Sequence, residues 1–333
     1  MMRAAVIGLG DISAIHVAVL KSMPELVELC AVCDVTEQKR DRVPDVPFYT
    51  DYVQMMEQEK PDCVHLCLPH DLHYPVAKAA VERGIHVFTE KPLALCAAQA
   101  EAFAQLEREH PEIHIGVCFQ NRYNHTTQKL REILQRGETG TVRNVRGVVI
   151  WSRPKAYYDA SPWRGELRRA GGGVLQNQSI HTLDLMAYLG GPVASIRGEI
   201  MQLLDYGIDV EDTATARLEY RSGAVGLFFA TVAYGENTSV ELDVTTERAH
   251  YRIRDEKLFQ VERGEERLLA EDPVIQSGRG YWGSSHGRLI RSFYEALMGQ
   301  AADYPHAADG VNSLRMIDAI RASSAKGKAV TLE

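Results

Sequence analysis

The chain predicts a two-part α/β protein. A doubly wound parallel sheet comes first, followed by an α+β region with a large, open, mostly antiparallel sheet. Three observations carry this expectation. The first 120 residues alternate short, wholly apolar runs with amphipathic stretches, the pattern of βαβ units whose strands are covered on both faces. After about residue 137 the rhythm changes to successive strand-like runs separated by turn signals such as Arg221-Ser222-Gly223. The length, 333 residues, and a composition of 45% hydrophobic and 25% charged residues suit two ordinary globular domains. The boundary is set at 1–121 and 122–333.

The elements follow in order. Apolar runs at 3–7, 29–33, 63–68, 86–89 and 113–119 are the parallel strands. The helical stretches between them are clearest at 73–83 and 96–109. In the second part a helix is expected at 176–189. Strands are expected at 193–203, 213–220, 224–233, 239–245, 249–253 and 258–261. Alternation is plainest in Thr213-Ala214-Thr215-Ala216-Arg217-Leu218-Glu219-Tyr220. Two closing helices are expected near 284–298 and 307–325. More sheet than helix in this part leaves an apolar face uncovered, so a homodimer or homotetramer through that face is expected.

Charge and cysteine usage exclude several classes. The 37 basic and 45 acidic residues give a formal net charge of −8, whereas a nucleic-acid surface needs a basic excess. No apolar run approaches the ~18 residues that span a bilayer. Met1-Met2-Arg3 leads straight into a short strand, too short an apolar run for a signal peptide. A cytoplasmic protein with a small-molecule partner is expected, without nucleic acid or membrane. Cys30 and Cys33 form a C-x-x-C, but within a strand they point to opposite faces and read as small apolar filler. No metal site is expected.

Gly8-Leu9-Gly10-Asp11-Ile12-Ser13 follows the first strand and opens a helix. In such a G-x-G-x-x-small turn the first glycine permits the bend and the second admits a pyrophosphate. A small third residue lets helix and strand pack closely. The helix start offers free N–H groups to phosphate. Asp34 ends the second strand 21 residues after Ser13, where a carboxylate holds a ribose diol and repels a 2′-phosphate. Lys39 and Arg40 follow on what reads as a solvated helix. NAD is therefore expected over NADP, with Gly8, Gly10, Asp11, Ile12 and Asp34 as its contacts.

A second block is Gly84-Ile85-His86-Val87-Phe88-Thr89-Glu90-Lys91-Pro92-Leu93-Ala94. A third runs from Gly171-Gly172-Gly173 through Asn177, Ser179 and His181 to Asp184. Together with the glycine turn they resemble the Gfo/Idh/MocA oxidoreductase family, and the resemblance extends to Phe293-Tyr294-Glu295-Ala296 and Gly327-Lys328-Ala329-Val330. It implies an NAD(P)-dependent enzyme that interconverts a hydroxyl and a carbonyl on a sugar, polyol or derivative. It implies Lys91 and His181 as catalytic residues. The family's aspartate is Asn177 here and its glycine is Ser179. An amide positions a hydroxyl but does not take its proton, so Asn177 is assigned a positioning role within the catalytic set.

The same resemblance implies further site residues. Leu68-Pro69-His70-Asp71-Leu72-His73 is similar to the family's Thr-Pro-Asn-x-x-His loop, placing Leu68, Pro69, His70 and His73 beside the cofactor with Glu90, Lys91 and Gln120. His16 matches a histidine in the family's first helix. Arg122, Trp163, Arg164, Asn177, His181 and His286 are the expected substrate contacts, His286 within Tyr281-Trp282-Gly283-Ser284-Ser285-His286. Two other functions fit the same motifs: a redox-cycling sugar lyase or hydrolase that retains NAD, and a non-catalytic nucleotide-sensing regulator.

Overall fold

The computed structural model describes residues 1–273 and 285–332. It divides into two compact units. The first is Met1–Cys118 with His286–Val311, and the second is Phe119–Ser285 with Asn312–Glu333. Among the described residues no helix is long and apolar enough to cross a membrane.

The first unit is built on six parallel strands. They are β1 (Met2–Ile7), β2 (Val27–Cys33), β3 (Phe48–Tyr49), β4 (Cys63–Leu66), β5 (His86–Thr89) and β6 (Ile115–Val117). Their order is β3-β2-β1-β4-β5-β6, a doubly wound sheet with its reversal between β1 and β4. The linking helices are α1 (Ser13–Lys21), α2 (Tyr52–Glu59), α3 (His73–Val81) and α4 (Ala97–Glu109). β4 is buried at every position, as a strand covered on both faces must be. Helix α9 (His286–Leu297) returns to this unit from far along the chain. Its Phe293 packs so closely on Gly116 that a Cβ there would lie 2.8 Å from the ring.

The second unit holds a nine-stranded sheet ordered β14-β13-β12-β11-β7-β10-β9-β8-β15. In chain order the strands are β7 (Val142–Ile150), β8 (Val193–Met201), β9 (Thr213–Tyr220), β10 (Val225–Thr231) and β11 (Glu241–Thr246). They continue with β12 (His250–Arg254), β13 (Lys257–Glu262), β14 (Glu265–Glu271) and β15 (Val330–Thr331). Pairing is antiparallel except between β7 and β10. Its helices are α5 (His125–Gln135), α6 (Lys155–Asp159), α7 (Leu167–Ala170) and α8 (Ile180–Gly190), and a closing helix, α10 (Ala307–Lys326), begins in the first unit.

The structure adds four strands that the sequence reading lacks, the two-residue β3 and β15 and the longer β7 and β14. β7 sits at the middle of the sheet, yet Arg143, Asn144, Arg146 and Gly147 interrupt its apolar pattern. Gly147 is required by packing: a Cβ there would meet the Met186 sulfur at 2.6 Å and the Thr182 methyl at 2.7 Å, so α8 presses on this strand. β14 is an edge strand with only Ala270 buried, so it shows no apolar face to detect. The helix expected at 176–189 is also corrected. A π-turn over Val174–Gln178 comes first, Ser179 breaks it, and α8 starts at Ile180. The sheet face that α8 does not cover carries exposed side chains on β10, Leu227 at 56% and Phe229 at 36%.

Candidate active site

In the first unit, β1 delivers the chain into the glycine turn. Gly8 has φ +92°, and a Cβ there would lie 2.4 Å from the Cys67 carbonyl oxygen, so only glycine fits. Gly10 differs: its Cβ direction meets nothing nearer than that oxygen at 4.0 Å. Ser13 is buried and donates its hydroxyl to the Gly10 carbonyl at 2.7 Å. Among the described residues no side chain caps the start of α1 at Ile12, a helix start of the kind that receives phosphate. Asp11 is exposed and Ile12 half-buried beside this opening.

Asp34 closes the other side. Its Oδ2 accepts the Leu9 N–H at 2.7 Å, and its Oδ1 accepts the Thr36 N–H at 2.9 Å. Burial opposes its charge, but Lys39 and these two N–H groups hold its pKa below the ordinary carboxylate value. An open glycine turn, an uncapped helix start and an ionised carboxylate anchored to that turn fit the pyrophosphate and adenosine ribose of NAD. Lys39 departs from expectation. Rather than standing free in solvent, its Nζ lies 2.8 Å from Asp34 Oδ2. Arg40 does lie outward, over the Phe48 ring and toward Glu37. Arg42, absent from the sequence reading, donates to the Leu9 carbonyl at 2.7 Å.

The loops after β4 and β5 are joined by His73. Its Nδ1 lies 2.8 Å from the Pro92 carbonyl oxygen and its Nε2 3.0 Å from that of Leu68. It is fully buried, so it works by fixing the two loops. Leu68 and Pro69 are half-buried and His70 is buried. Lys91 is half-buried and immediately follows a buried chain of polar groups. Glu90 Oε1 faces His16 Nε2 at 3.0 Å, His16 Nδ1 faces His65 Nδ1 at 2.9 Å, and His65 Nε2 faces the Tyr294 hydroxyl at 2.9 Å. Burial resists charging both members of the first pair. Even so, Glu90 titrates far below and His16 well above its ordinary value, each held there by buried neighbours that include the other. His65, with burial and His16 against its charge, is pushed down. His286 is buried with Nε2 4.0 Å from Glu90 Oε1. Ligand-type atoms of His16, Glu90 and Cys118 lie within 4.8 Å of one another, a convergence from three elements that spacing does not reveal.

In the second unit, the Gly171–Gly173 turn is filled by protein. A Cβ on Gly173 would lie 1.8 Å from the Glu211 carbonyl oxygen, and one on Gly172 would lie 1.6 Å from the Arg321 guanidinium. The Val174 N–H donates to that same carbonyl at 2.9 Å. The Leu175 N–H donates to Glu211 Oε1 at 3.2 Å, and Arg321 donates to Gln176 Oε1 at 3.0 Å. The locked turn presents Asn177, half-buried, within the π-turn, and His181, half-buried, in the first turn of α8. His181 Nε2 lies 3.3 Å from Gln120 Nε2, with Phe119 edge-on to its ring.

Arg122, expected among the substrate contacts, grips Asp184 through its guanidinium with two hydrogen bonds, of 2.8 and 2.6 Å. A fork-to-carboxylate pair of this kind anchors the segment to α8. Trp163 and Arg164 are half-buried in a single 3-10 turn, with the Arg164 guanidinium 4.5 Å from the Tyr157 ring centroid. The expected residues Tyr281, Trp282, Gly283 and Ser284 lie outside the described residues.

Two family models match the chain. The oxidoreductase family model with its NAD-binding Rossmann fold covers residues 2–118, and the GFO/IDH/MocA C-terminal domain covers 127–252. The chain belongs to the Gfo/Idh/MocA oxidoreductase family. As a member, it is an NAD-binding oxidoreductase. Myo-inositol 2-dehydrogenase of Thermotoga maritima is 29% identical over 252 residues, 72% of each chain. D-glucoside 3-dehydrogenase of Escherichia coli is 25% identical and matches 99% of this chain and 97% of its own. Among solved structures, the WlbA dehydrogenase of Chromobacterium violaceum, in complex with NADH and UDP-GlcNAcA, superposes with a TM-score of 0.87. It is 27% identical and the match covers 100% of this chain and 96% of that one.

Proposed function

We propose that this Gfo/Idh/MocA oxidoreductase interconverts a secondary alcohol and a ketone on a sugar or sugar derivative, as an NAD-dependent dehydrogenase or reductase. NAD supplies the hydride acceptor when bound. The chain's own residues supply the rest. His181 takes the hydroxyl proton, since imidazole changes charge closest to neutral pH. Gln120 holds that ring through its amide Nε2, 3.3 Å from the imidazole Nε2; the amide N–H donates to the imidazole lone pair and gives way to the substrate hydroxyl when the proton is taken. Lys91 steadies the developing alkoxide, and Asn177 positions the hydroxyl without exchanging its proton. Gly8, Gly10 and the start of α1 hold the pyrophosphate, Asp34 the adenosine ribose, and the loop of Leu68, Pro69 and His70 the adenosine side.

The observation that carries this reading is the locked turn that puts Asn177 and His181 forward together, with the imidazole meeting Gln120 at 3.3 Å. The relatives named for oxidation of inositol and glucosides support it. The test is NAD⁺ reduction against a panel of inositols, hexoses, glucosides, sugar acids and nucleotide sugars. On the substrate so found, His181→Ala should lower turnover by about 10²–10⁴-fold, the range for a lost general base, with NADH affinity unchanged. Near-wild-type turnover in that variant removes His181 from the role.

The exposed Leu227 and Phe229 on the open sheet face support a homo-oligomer formed through it. A monomer mass by light scattering at micromolar concentration counts against that assembly. Six free cysteines, five of them buried, suit the reducing cytoplasm.

A further inference from the structure

We infer that the second unit contains a subsite for an anionic group of the substrate, built on Arg153, Arg164, Tyr157 and Gln178. The inference rests on the dehydrogenase reading and narrows its substrate to sugars that carry a carboxylate or a phosphate.

The subsite starts from two cations on one ring. Arg153 follows β7 and is buried, with its guanidinium 5.0 Å from the Trp151 ring and 5.5 Å from the Tyr157 centroid. Arg164 approaches the same Tyr157 ring to 4.5 Å and the Trp163 ring to 5.8 Å. Among the described residues, the Arg164 guanidinium meets only these aromatic faces. Two like charges on one half-buried ring repel each other; Arg153 is held by hydrogen bonds to the Ser152 carbonyl at 2.7 Å and Asn237 Oδ1 at 3.0 Å, whereas Arg164 has cation–π attraction alone among the described residues. The carboxylates on the adjoining segment are already engaged. Asp212 accepts from the Leu203 and Leu204 N–H groups and the Thr213 hydroxyl, and Glu211 accepts from Leu175 and Arg321.

A second, independent feature points to a ligand. Gln178 is only 7% exposed. Its Nε2 donates to the Tyr157 hydroxyl at 3.2 Å. Its buried Oε1 has no hydrogen-bond partner among the described residues, a state that costs free energy unless something donates to it. A sugar hydroxyl beside the charged group is such a donor. Gln178 directly follows Asn177 in the π-turn, so the subsite is tied through Tyr157 to the turn that carries the proposed positioning residue. Guanidinium groups match carboxylate and phosphate oxygens in a forked geometry, and neither inositol nor a simple glucoside offers such a group.

The test is calorimetric binding to the NADH-loaded protein, with glucose, glucuronate, UDP-glucose and UDP-glucuronate as probes. It reads affinity and needs no turnover, so failure of the dehydrogenase reading leaves it interpretable. At least one charged probe should bind about tenfold or more tighter than glucose, an advantage that shrinks as salt rises. Glucuronate against glucose reports a carboxylate subsite, and UDP-glucose against glucose a diphosphate one. Arg164→Gln should weaken the favoured charged probe by about tenfold, Arg164→Lys should restore part of that loss, and NADH affinity should stay put as the control for folding. The proposal is overturned if no charged probe shows saturable binding, if charged and neutral probes bind alike, or if Arg164→Gln weakens both equally. Should Arg164→Gln fail to fold, Trp163→Phe with the salt titration of the wild-type protein decides: salt-insensitive binding overturns it.

Discussion

The molecule contains two glycine turns that precede a helix, and they are glycine-rich for opposite reasons. At Gly8–Ser13 only Gly8 is forced by the protein, while the Gly10 position opens onto space. At Gly172 and Gly173 the protein itself fills the glycine positions, with the Arg321 guanidinium and the Glu211 backbone where side chains would lie. The first turn leaves room on the Gly10 side. The second is a clamp that sets the direction in which Asn177 and His181 leave the backbone. A glycine pattern alone does not tell a binding turn from a packing turn; the atoms around each Cβ direction do.

The largest expected effect separates the two turns outright. Gly173→Ala drives a methyl into the Glu211 carbonyl, and urea denaturation should show a loss of about 3 kcal/mol. Retained stability would mean that the second turn is not a clamp. Gly10→Ala should leave the denaturation curve in place but weaken NADH by about tenfold in fluorescence titration, because a methyl intrudes where the pyrophosphate approaches. Unchanged NADH affinity would break the contrast from the other side.

A smaller effect concerns the ribose end of the open turn. Wild-type protein should prefer NADH to NADPH, and Asp34→Ser should reduce that preference by about tenfold. The Lys39 contact makes this a sharper test than the motif alone, since removing the carboxylate also releases a cation toward the 2′ position. Equal affinity for the two cofactors in the wild type would remove Asp34 from the discriminating role.

The smallest effect is on pH. The Glu90 pKa is depressed, so its contribution to stability is complete above its ordinary value of 4.5 and is lost as pH falls toward the folded value. The His16 pKa is raised, so its contribution is complete below its ordinary 6.5 and is lost as pH rises through the folded value. The pair therefore stabilises most between those two ordinary values and less on either side. Glu90→Gln should lower the unfolding free energy inside that window and flatten its fall on either side of it. A wild-type profile as flat as the variant's would show that the pair is not charged.

Much of the first unit follows from local pattern. β1, β2, β4 and β5 are mostly apolar runs, and strands buried on both faces carry that signal in their own residues. The glycine turn and the place of Asp34 beside it were legible for a related reason: the turn is set by short-range backbone geometry, and Asp34 closes on the Leu9 N–H within it. β7 was illegible because its inward positions include Gly147, whose value lies in the room it leaves for Met186 and Thr182 from α8. Burial, not composition, defines that strand.

The sequence by itself determined the two-part α/β organisation, the strand–helix alternation of the first unit and the place of the first glycine turn between β1 and α1. Tertiary structure alone decided which charges are compensated. Arg122 meets Asp184 from 62 positions away, Lys39 folds back onto Asp34, and Glu90, His16, His65 and Tyr294 join into one buried string drawn from four separate elements. The physical reason is range. Backbone conformation is set by a residue and its near neighbours, whereas the partner of a charge is set by whichever distant segment packing brings within about 3 Å.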